Sequence, residues 1–542
     1  MKKEHLILGV IIFFGIFLRF WHVSDIPPSL SHDEVAIGYN AYSLLKTGKD
    51  EYGSQFPLLF RSFDDYKLPG MVYSTVVSIA LFGLNELGVR FPSAFFGSLT
   101  VIVFYFFIRN FYEKKNYFFI LLPTFFFAFS IWHINFSRQL FESNGALFFL
   151  LCGAYFLFLF PQKPQKIVAA AFFLALSIYF YYSVRLVLPF ILLAFLFIHK
   201  NILKQHFRYL LMAFFVGFFV LLPLFPSLFS NGGLSRISTV SVINDKNYLM
   251  LQKTFAQKSL QTQSPLSKFL YNRRVALFIT AAENYFKNVS FQHIFLSGTG
   301  PLGLLYIVEA PFFFWGIYCL FKRKEKKKWL IFAWALSVPL AGAVTTDQPN
   351  ALRTLLNAPI YSFISGLGLA TFLSVFKKTE WKIVFLGIFV FSFLLSFLQF
   401  FQTYFYITPQ KNSLHFGDGY KQMAAFVKAN EKNYDRIYIS GYYWRPYIFI
   451  LFWDAYSPQR YQKKGSPSGF GKYSFGSASW DSSGIFFGDT KFDIKNLVAV
   501  NKRKTLFIFA PEEYAVHKDN FIELAMIDGK YAKDVFVASI AK

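Results

Sequence analysis

The feature that most constrains this chain is a series of long apolar runs almost free of charge. Eleven can be read, at residues 5–21, 94–108, 117–132, 146–160, 167–182, 186–198, 209–225, 303–321, 329–345, 355–376 and 383–405. A helix rising about 1.5 Å per residue needs roughly 20 apolar residues to cross roughly 30 Å of hydrocarbon. Most runs reach or approach that length. The run at 186–198 is the weakest, and Pro189 is expected to kink a longer helix that starts near Tyr181. The expectation is an α-helical polytopic membrane protein with about eleven transmembrane helices. Composition agrees: 55% of the 542 residues are hydrophobic and mean hydropathy is +0.39. The 76 Phe residues fit lipid-facing surfaces, which accept that side chain readily.

Charge placement orients the chain. The net charge is +25, and basic residues gather in short connections. These hold Lys2 and Lys3; Arg109, Lys114 and Lys115; Lys163 and Lys166; Lys200, Lys204 and Arg208; Lys322 to Lys328; and Lys377, Lys378 and Lys382. They alternate with connections poorer in Lys and Arg, so the positive-inside rule puts them on the cytoplasmic face of a cell membrane. The N-terminus is then cytoplasmic and the C-terminal segment extracytoplasmic. Topology thus explains the basic balance better than a nucleic-acid partner does. Cys152 and Cys319 each fall inside an expected span and read as small buried hydrophobes, not a disulfide or metal pair. The first run lacks a small-x-small cleavage site before Trp21 and reads as an uncleaved helix.

Three segments are too long to be simple connectors, and this topology puts all of them outside. They are a first outer loop at 23–93, a second at 227–302, and a tail at 407–542. Residues 1–406 are read as a membrane domain and 407–542 as a small extracytoplasmic α/β domain. In the first loop, Ser31-His32-Asp33-Glu34 has the form of a capping box. Apolar residues follow to Leu45, and Gly48 offers a stop, which predicts a short amphipathic helix. The apolar stretch 70–84 is read as an interfacial helix, because counting it as a span breaks the charge alternation. In the tail, 419–428 has helical periodicity, while 436–440, 447–453, 505–510 and 535–540 look like strands. Gly and Ser crowd 465–488, which suggests a mobile loop.

Several charged residues fall at the outer edge of the spans. Asp33 and Glu34 could activate an acceptor hydroxyl as a general base. They could equally complete the cap and favour the helix dipole. Lys67, in Asp64-Asp65-Tyr66-Lys67-Leu68-Pro69, could meet a lipid phosphate or be a solvated loop charge. Arg138 and Glu142 are four residues apart and could pair on one helix face. Arg185 and Arg353 are further outer-edge cations. Snorkelling explains all three arginines singly; together they suit an anionic lipid headgroup. No ligand spacing around His32 completes a metal site, and no glycine loop cradles a nucleotide. No cofactor is therefore expected, although a divalent cation held by carboxylates from separate loops would leave no pattern.

These runs resemble the family 39 glycosyltransferases of the C-type membrane superfamily, which includes protein O-mannosyltransferases and lipid A aminoarabinose transferases. The likeness rests on Ser31-His32-Asp33-Glu34, Gly38-Tyr39-Asn40-Ala41, Leu44-Leu45-Lys46-Thr47-Gly48-Lys49-Asp50, Tyr66-Lys67-Leu68-Pro69 and Arg90-Phe91-Pro92-Ser93-Ala94 with Gly97. It extends to Phe136-Ser137-Arg138 with Glu142, and to Asp347-x-Pro349-x-x-x-Arg353, over roughly residues 1–405. The resemblance implies a C-type glycosyltransferase fold and transfer of a sugar from a polyprenyl-phosphate donor to a hydroxyl of a lipid, glycan or protein acceptor, with inversion. It implies Asp33 as base, Lys67 at the lipid phosphate with Arg138 and Arg353 as further candidates, and Glu142 as the second acidic site. The lipid A enzymes usually carry a second proline directly after the lysine; here Leu68 intervenes. A transporter or flippase of lipid-linked sugars is the main rival, but it predicts short outer loops, matching halves and mid-span charges. A non-catalytic membrane scaffold is the other rival.

Overall fold

A computed structural model describes residues 2–63, 65–112, 117–228, 241–262, 264–476, 478–480, 486–488 and 504–542. Asp64, Lys114 and Lys115 lie outside the described residues. A helix lies on each of the eleven apolar runs. In chain order the helices up to residue 221 are α1 (Lys2–Phe20), α2 (His32–Thr47), α3 (Pro69–Phe82), α4 (Glu86–Phe111), α5 (Tyr117–Ala128), α6 (Ile131–Ser137), α7 (Glu142–Leu159), α8 (Lys166–Ser177), α9 (Ser183–Gln205) and α10 (Phe207–Leu221). Strands β1 (Phe60–Ser62) and β2 (Asp65–Lys67) form a hairpin between α2 and α3. Beyond residue 240 come α11 (Lys246–Thr262), α12 (Pro265–Leu270), α13 (Arg273–Asn288), α14 (Ala310–Lys322), α15 (Lys328–Ala343), α16 (Ala358–Val375) and α17 (Thr379–Gln402).

Six helices among the described residues are long and apolar enough to cross a membrane, or seven if α5 and α6, bent by 48°, count as one span. Four of the runs carry helices that miss this measure. Charges at Lys2, Lys3, Glu4 and Arg19 shorten the clean stretch of α1. Helices α8, α14 and α15 have 12, 13 and 16 residues. The chain is a multi-pass membrane protein. The stretch 70–84 is the 14-residue helix α3, about 21 Å long at a helical rise and too short for a straight crossing.

The chain divides into two units. One comprises residues 1–21, 58–71 and 93–401. It is a helical bundle in which α7 packs on α8, α8 on α10, α14 on α16 and α16 on α5. Several of its buried polar groups are bonded across helices. Trp132 donates to the Ala351 carbonyl at 2.8 Å, and Trp334 to the Leu356 carbonyl at 2.9 Å. Arg19 is fully buried and donates to the carbonyls of Gly15 and Ala128 and to His133 Nδ1, tying the end of α1 to the α5–α6 bend. A buried guanidinium is costly unless bonded in this way.

The other unit comprises residues 22–57, 72–92 and 402–542. Its C-terminal part, from residue 402, groups with residues 22–57 and 72–92. It contains α18 (Tyr420–Asn430), β3 (Arg436–Ile439), α19 (Pro446–Trp453), α20 (Pro458–Lys464), β4 (Gly469–Phe470), β5 (Tyr473–Phe475), β6 (Ala478–Trp480), β7 (Phe486–Gly488), β8 (Thr505–Phe509), β9 (Phe521–Ile527) and β10 (Phe536–Ala541). Six strands form a mixed sheet in the order β4-β5-β3-β8-β10-β9, with β3 parallel to β5 and β8. The α/β expectation holds, with one correction. Residues 447–453 are helix α19, not a strand. Trp444 and Arg445 have positive φ and turn the chain, and Pro446 then starts the helix. Residues 447–452 are buried on every side, so no polar face betrays the period. The Gly- and Ser-rich stretch 465–488 carries strands β4 to β7, while 477 and 481–485 lie outside the described residues.

Candidate active site

In the helical-bundle unit, Lys67 ends β2, paired opposite Phe60, and Pro69 begins α3 two residues later. Glu142 opens α7. Seventy-five residues apart in sequence, they form an ion pair with Lys67 Nζ 3.8 Å from Glu142 Oε1, and both side chains are about 10% exposed. The charges attract at this separation, but the distance exceeds a hydrogen bond.

Small residues set the approach. A Cβ on Gly70 would stand 2.6 Å from the Phe180 ring, and one on Gly145 would stand 2.2 Å from it. Only glycine on both sides lets the starts of α3 and α7 close on that ring. The Gly70 amide donates to the Tyr179 carbonyl at 2.9 Å. Asn144 fixes the first turn of α7 by donating to Ser93 Oγ and the Phe136 carbonyl, at 2.8 and 2.7 Å. Arg185, in the first turn of α9, lies 4.6 Å from the Tyr182 ring centroid. The Tyr182 hydroxyl donates to the Tyr66 carbonyl at 3.3 Å. Lys67, Glu142 and, through these two tyrosines, Arg185 therefore share one neighbourhood.

Arg138 and Arg353 make contacts with other parts of this unit. Arg138 is fully buried and donates to the Leu18 carbonyl at 2.7 Å. Glu142 faces Lys67. Arg353 is partly exposed. It donates to Thr345 Oγ1 at 2.8 Å and to the Thr346 carbonyl, closing the loop before α16.

In the other unit, α2 presents its two acidic residues differently. Asp33 is exposed in the first turn of α2, where the helix dipole favours a carboxylate. Glu34 is buried. Its Oε2 accepts the Ser31 amide at 2.9 Å, and its Oε1 accepts Arg90 Nε at 2.9 Å. Arg90, also fully buried, donates to the carbonyls of Val23, Pro27 and Ser29. His32 donates Nε2–H to the Trp444 carbonyl at 2.9 Å and packs against Phe449. Burial pulls its pKa down to about 4, so the ring is neutral at ordinary pH. Helix α2 ends as expected, with Gly48 in the left-handed region.

Of the anticipated residues, the structure thus joins Lys67 to Glu142 and gives Glu34 a structural anchor. Arg90 stands in the Arg90-Phe91-Pro92-Ser93-Ala94 run, where sequence alone assigns it no role. Its signal was present: an arginine in the first turns of an apolar helix must find a buried partner. Phe180 left no comparable mark. Among the described residues, no group of three His, Cys, Asp or Glu side chains could hold a metal ion.

Residues 67–225 match the sequence model of the dolichyl-phosphate-mannose-protein mannosyltransferase family. That segment includes Lys67, Arg138, Glu142 and Arg185. The fold is similar to that of ArnT from Cupriavidus metallidurans bound to undecaprenyl phosphate, with a TM-score of 0.55 and 11% identity over 98% of this chain and 97% of that one. The apo state of the same enzyme gives 0.55, 11%, 99% and 98%. The oligosaccharyltransferase AglB from Archaeoglobus fulgidus, in complex with an inhibitory peptide and a dolichol-phosphate, gives a TM-score of 0.51 and 12% identity over 83% of this chain and 64% of that one. The chain therefore spans somewhat less than two thirds of the archaeal enzyme's length. No curated protein sequence matches it.

Proposed function

We propose that this chain, a membrane glycosyltransferase of the C-type fold, moves a sugar from a polyprenyl-phosphate donor to an acceptor hydroxyl on the extracytoplasmic face, with inversion. The observation that carries this reading is the buried Lys67–Glu142 pair, which lies inside the segment matched by the mannosyltransferase family. The polyprenyl and dolichyl phosphates named with ArnT and AglB support the donor class.

Asp33 is the general base. It is exposed and takes the proton of the acceptor hydroxyl as that oxygen attacks the anomeric carbon. The bond from that carbon to the donor phosphate breaks on the opposite face, and its electrons leave with the polyprenyl phosphate. A phosphate leaving group needs little protonation near neutral pH, so cations can replace a general acid. Lys67 supplies the first of these. Its ion pair with Glu142 holds the ammonium in place, where a phosphate oxygen can form a charge-assisted contact with it. Arg185 and Arg353 are further phosphate contacts. Arg138 and Glu34, both buried, act as positioning residues, Glu34 through Arg90. The N-terminus is cytoplasmic and residues 407–542 are extracytoplasmic. The acceptor is a lipid, glycan or protein.

Mass spectrometry of surface glycans and glycoproteins, with and without the gene, tests this reading. Loss of one sugar type from one class of molecule is expected. An unchanged profile across all of them would overturn it.

A further inference from the structure

Helix α13 buries a small and polar face and exposes two phenylalanines beside the charged Arg273, Arg274 and Glu283. Its buried positions are Ala276, Thr280, Asn284 and Asn288, while Phe278 and Phe286 are 74% and 67% exposed. The polar inner face is used. Asn288 donates to Gln348 Oε1 at 2.7 Å and accepts the Asn350 amide at 3.1 Å, and Tyr285 donates to the Leu336 carbonyl on α15 at 3.0 Å. A helix facing only water would not place two phenylalanines on its outer face. The neighbouring α12 repeats the theme, with Leu266 and Phe269 exposed at 66% and 73%.

Cations accompany these apolar side chains. Lys253, Lys268, Arg273 and Arg274 are all exposed, and none is ion-paired with a described carboxylate. Across residues 241–302 the acidic residues are only Asp245 and Glu283. Exposed Phe and Leu beside unpaired Lys and Arg are the pattern of a helix lying in a membrane interface rich in negative headgroups.

We propose that α11 to α13 form an interfacial platform that docks on anionic phospholipid headgroups of the bilayer the chain spans. The exposed phenylalanines enter the acyl boundary, and the four cations meet headgroup phosphates. The platform is tied inward through Asn288 and Asn350, whose side chain accepts the Arg353 amide at 3.0 Å. The docking itself stands apart from the catalytic reading.

Hydrogen–deuterium exchange of the full chain in nanodiscs tests it. In discs containing phosphatidylglycerol, peptides from 246–288 should exchange more slowly than in pure phosphatidylcholine discs, on the order of fivefold for each cation engaged. The Lys253→Gln/Lys268→Gln/Arg273→Gln/Arg274→Gln variant should lose that difference, while its α16 peptides exchange as in the wild type. Equal wild-type exchange in the two lipids would overturn the proposal. So would a variant that keeps the full difference, or glycerol phosphate added to phosphatidylcholine discs producing the same protection, which would assign the cations to a free phosphate. The readout needs no sugar transfer, so it survives or fails independently of the glycosyltransferase reading.

Discussion

Arg90 donates Nε–H to Glu34 Oε1 at 2.9 Å, and both side chains are withdrawn from solvent. This pair anchors α2 at its first turn and leaves the adjacent Asp33 exposed. Breaking a buried pair strands the surviving charge and costs about 3–5 kcal/mol. Glu34→Ala should therefore lower the unfolding midpoint of the purified protein sharply. Arg90→Ala should do likewise, because it removes four sets of contacts at once. Sugar transfer per folded molecule should also fall in both variants, because the pair positions the first turn of α2 that carries Asp33.

Asp33→Asn should behave in the opposite way. The side chain is exposed and its amide keeps nearly the same shape, so stability should fall by no more than the roughly 0.3–1 kcal/mol of the helix-dipole contribution. Loss of a general base lowers rate by about 10²–10⁴. Single-turnover transfer from a polyprenyl-phosphate sugar measures it, and a folded Asp33→Asn variant at full rate would remove Asp33 from the mechanism.

The Lys67–Glu142 pair predicts a coupled response. Lys67→Met removes a charge-assisted contact to the donor phosphate, worth about 1.5–3 kcal/mol, or roughly 10- to 150-fold in donor kcat/KM. Glu142→Gln releases the ammonium from its anchor and should have a smaller effect. The double variant should be little worse than Lys67→Met alone, since residues in contact do not add. Strictly additive losses in the double variant would show that Glu142 acts on something other than Lys67.

His32 sets an acid limit on the unit that carries α2. Its pKa in the folded chain is about 4, against a usual 6.5. Between those values the unfolded chain binds a proton that the folded chain refuses. Stability is therefore complete above about pH 6.5 and declines as pH falls towards 4, by about 3 kcal/mol in total. Asp25, held below its ordinary range chiefly by its hydrogen bond from Lys530, adds a further loss at still lower pH. Urea midpoints from pulse proteolysis at pH 7 and 4.5 should differ in the wild type and converge in His32→Gln.

Much of this fold could be read before any coordinates, and the parts that could not have physical reasons. The apolar runs were legible because hydrocarbon demands length without charge, and every one carries a helix. The start and stop of α2 were legible because Ser31, Glu34 and Gly48 are local signals. Helix α19 was not, since a run buried all round has no alternation to reveal its period. Lys67 and Glu142 could be named singly, but their pairing depends on how a hairpin and a distant helix start converge. Sequence spacing suggested Arg138 as the partner of Glu142 through the i,i+4 rule, yet α6 ends at Ser137 and α7 begins at Glu142, so no single helix carries both.

The glycine pair around Phe180 shows how that convergence can be tested. Methyl groups at positions 70 and 145 would sit 2.6 and 2.2 Å from the same ring, so neither can be added without movement. Gly145→Ala pushes the first turn of α7 away from Phe180 and carries Glu142 with it, three residues upstream on the same turn. Overpacking of this kind costs about 1–3 kcal/mol. The expected result is a lowered unfolding midpoint together with a raised donor KM. Phe180→Leu in the same chain makes room for the methyl group, and should restore much of both. Recovery of the midpoint without recovery of KM would mean that the position of Glu142 does not govern donor binding, and that the Lys67–Glu142 distance is a packing consequence alone.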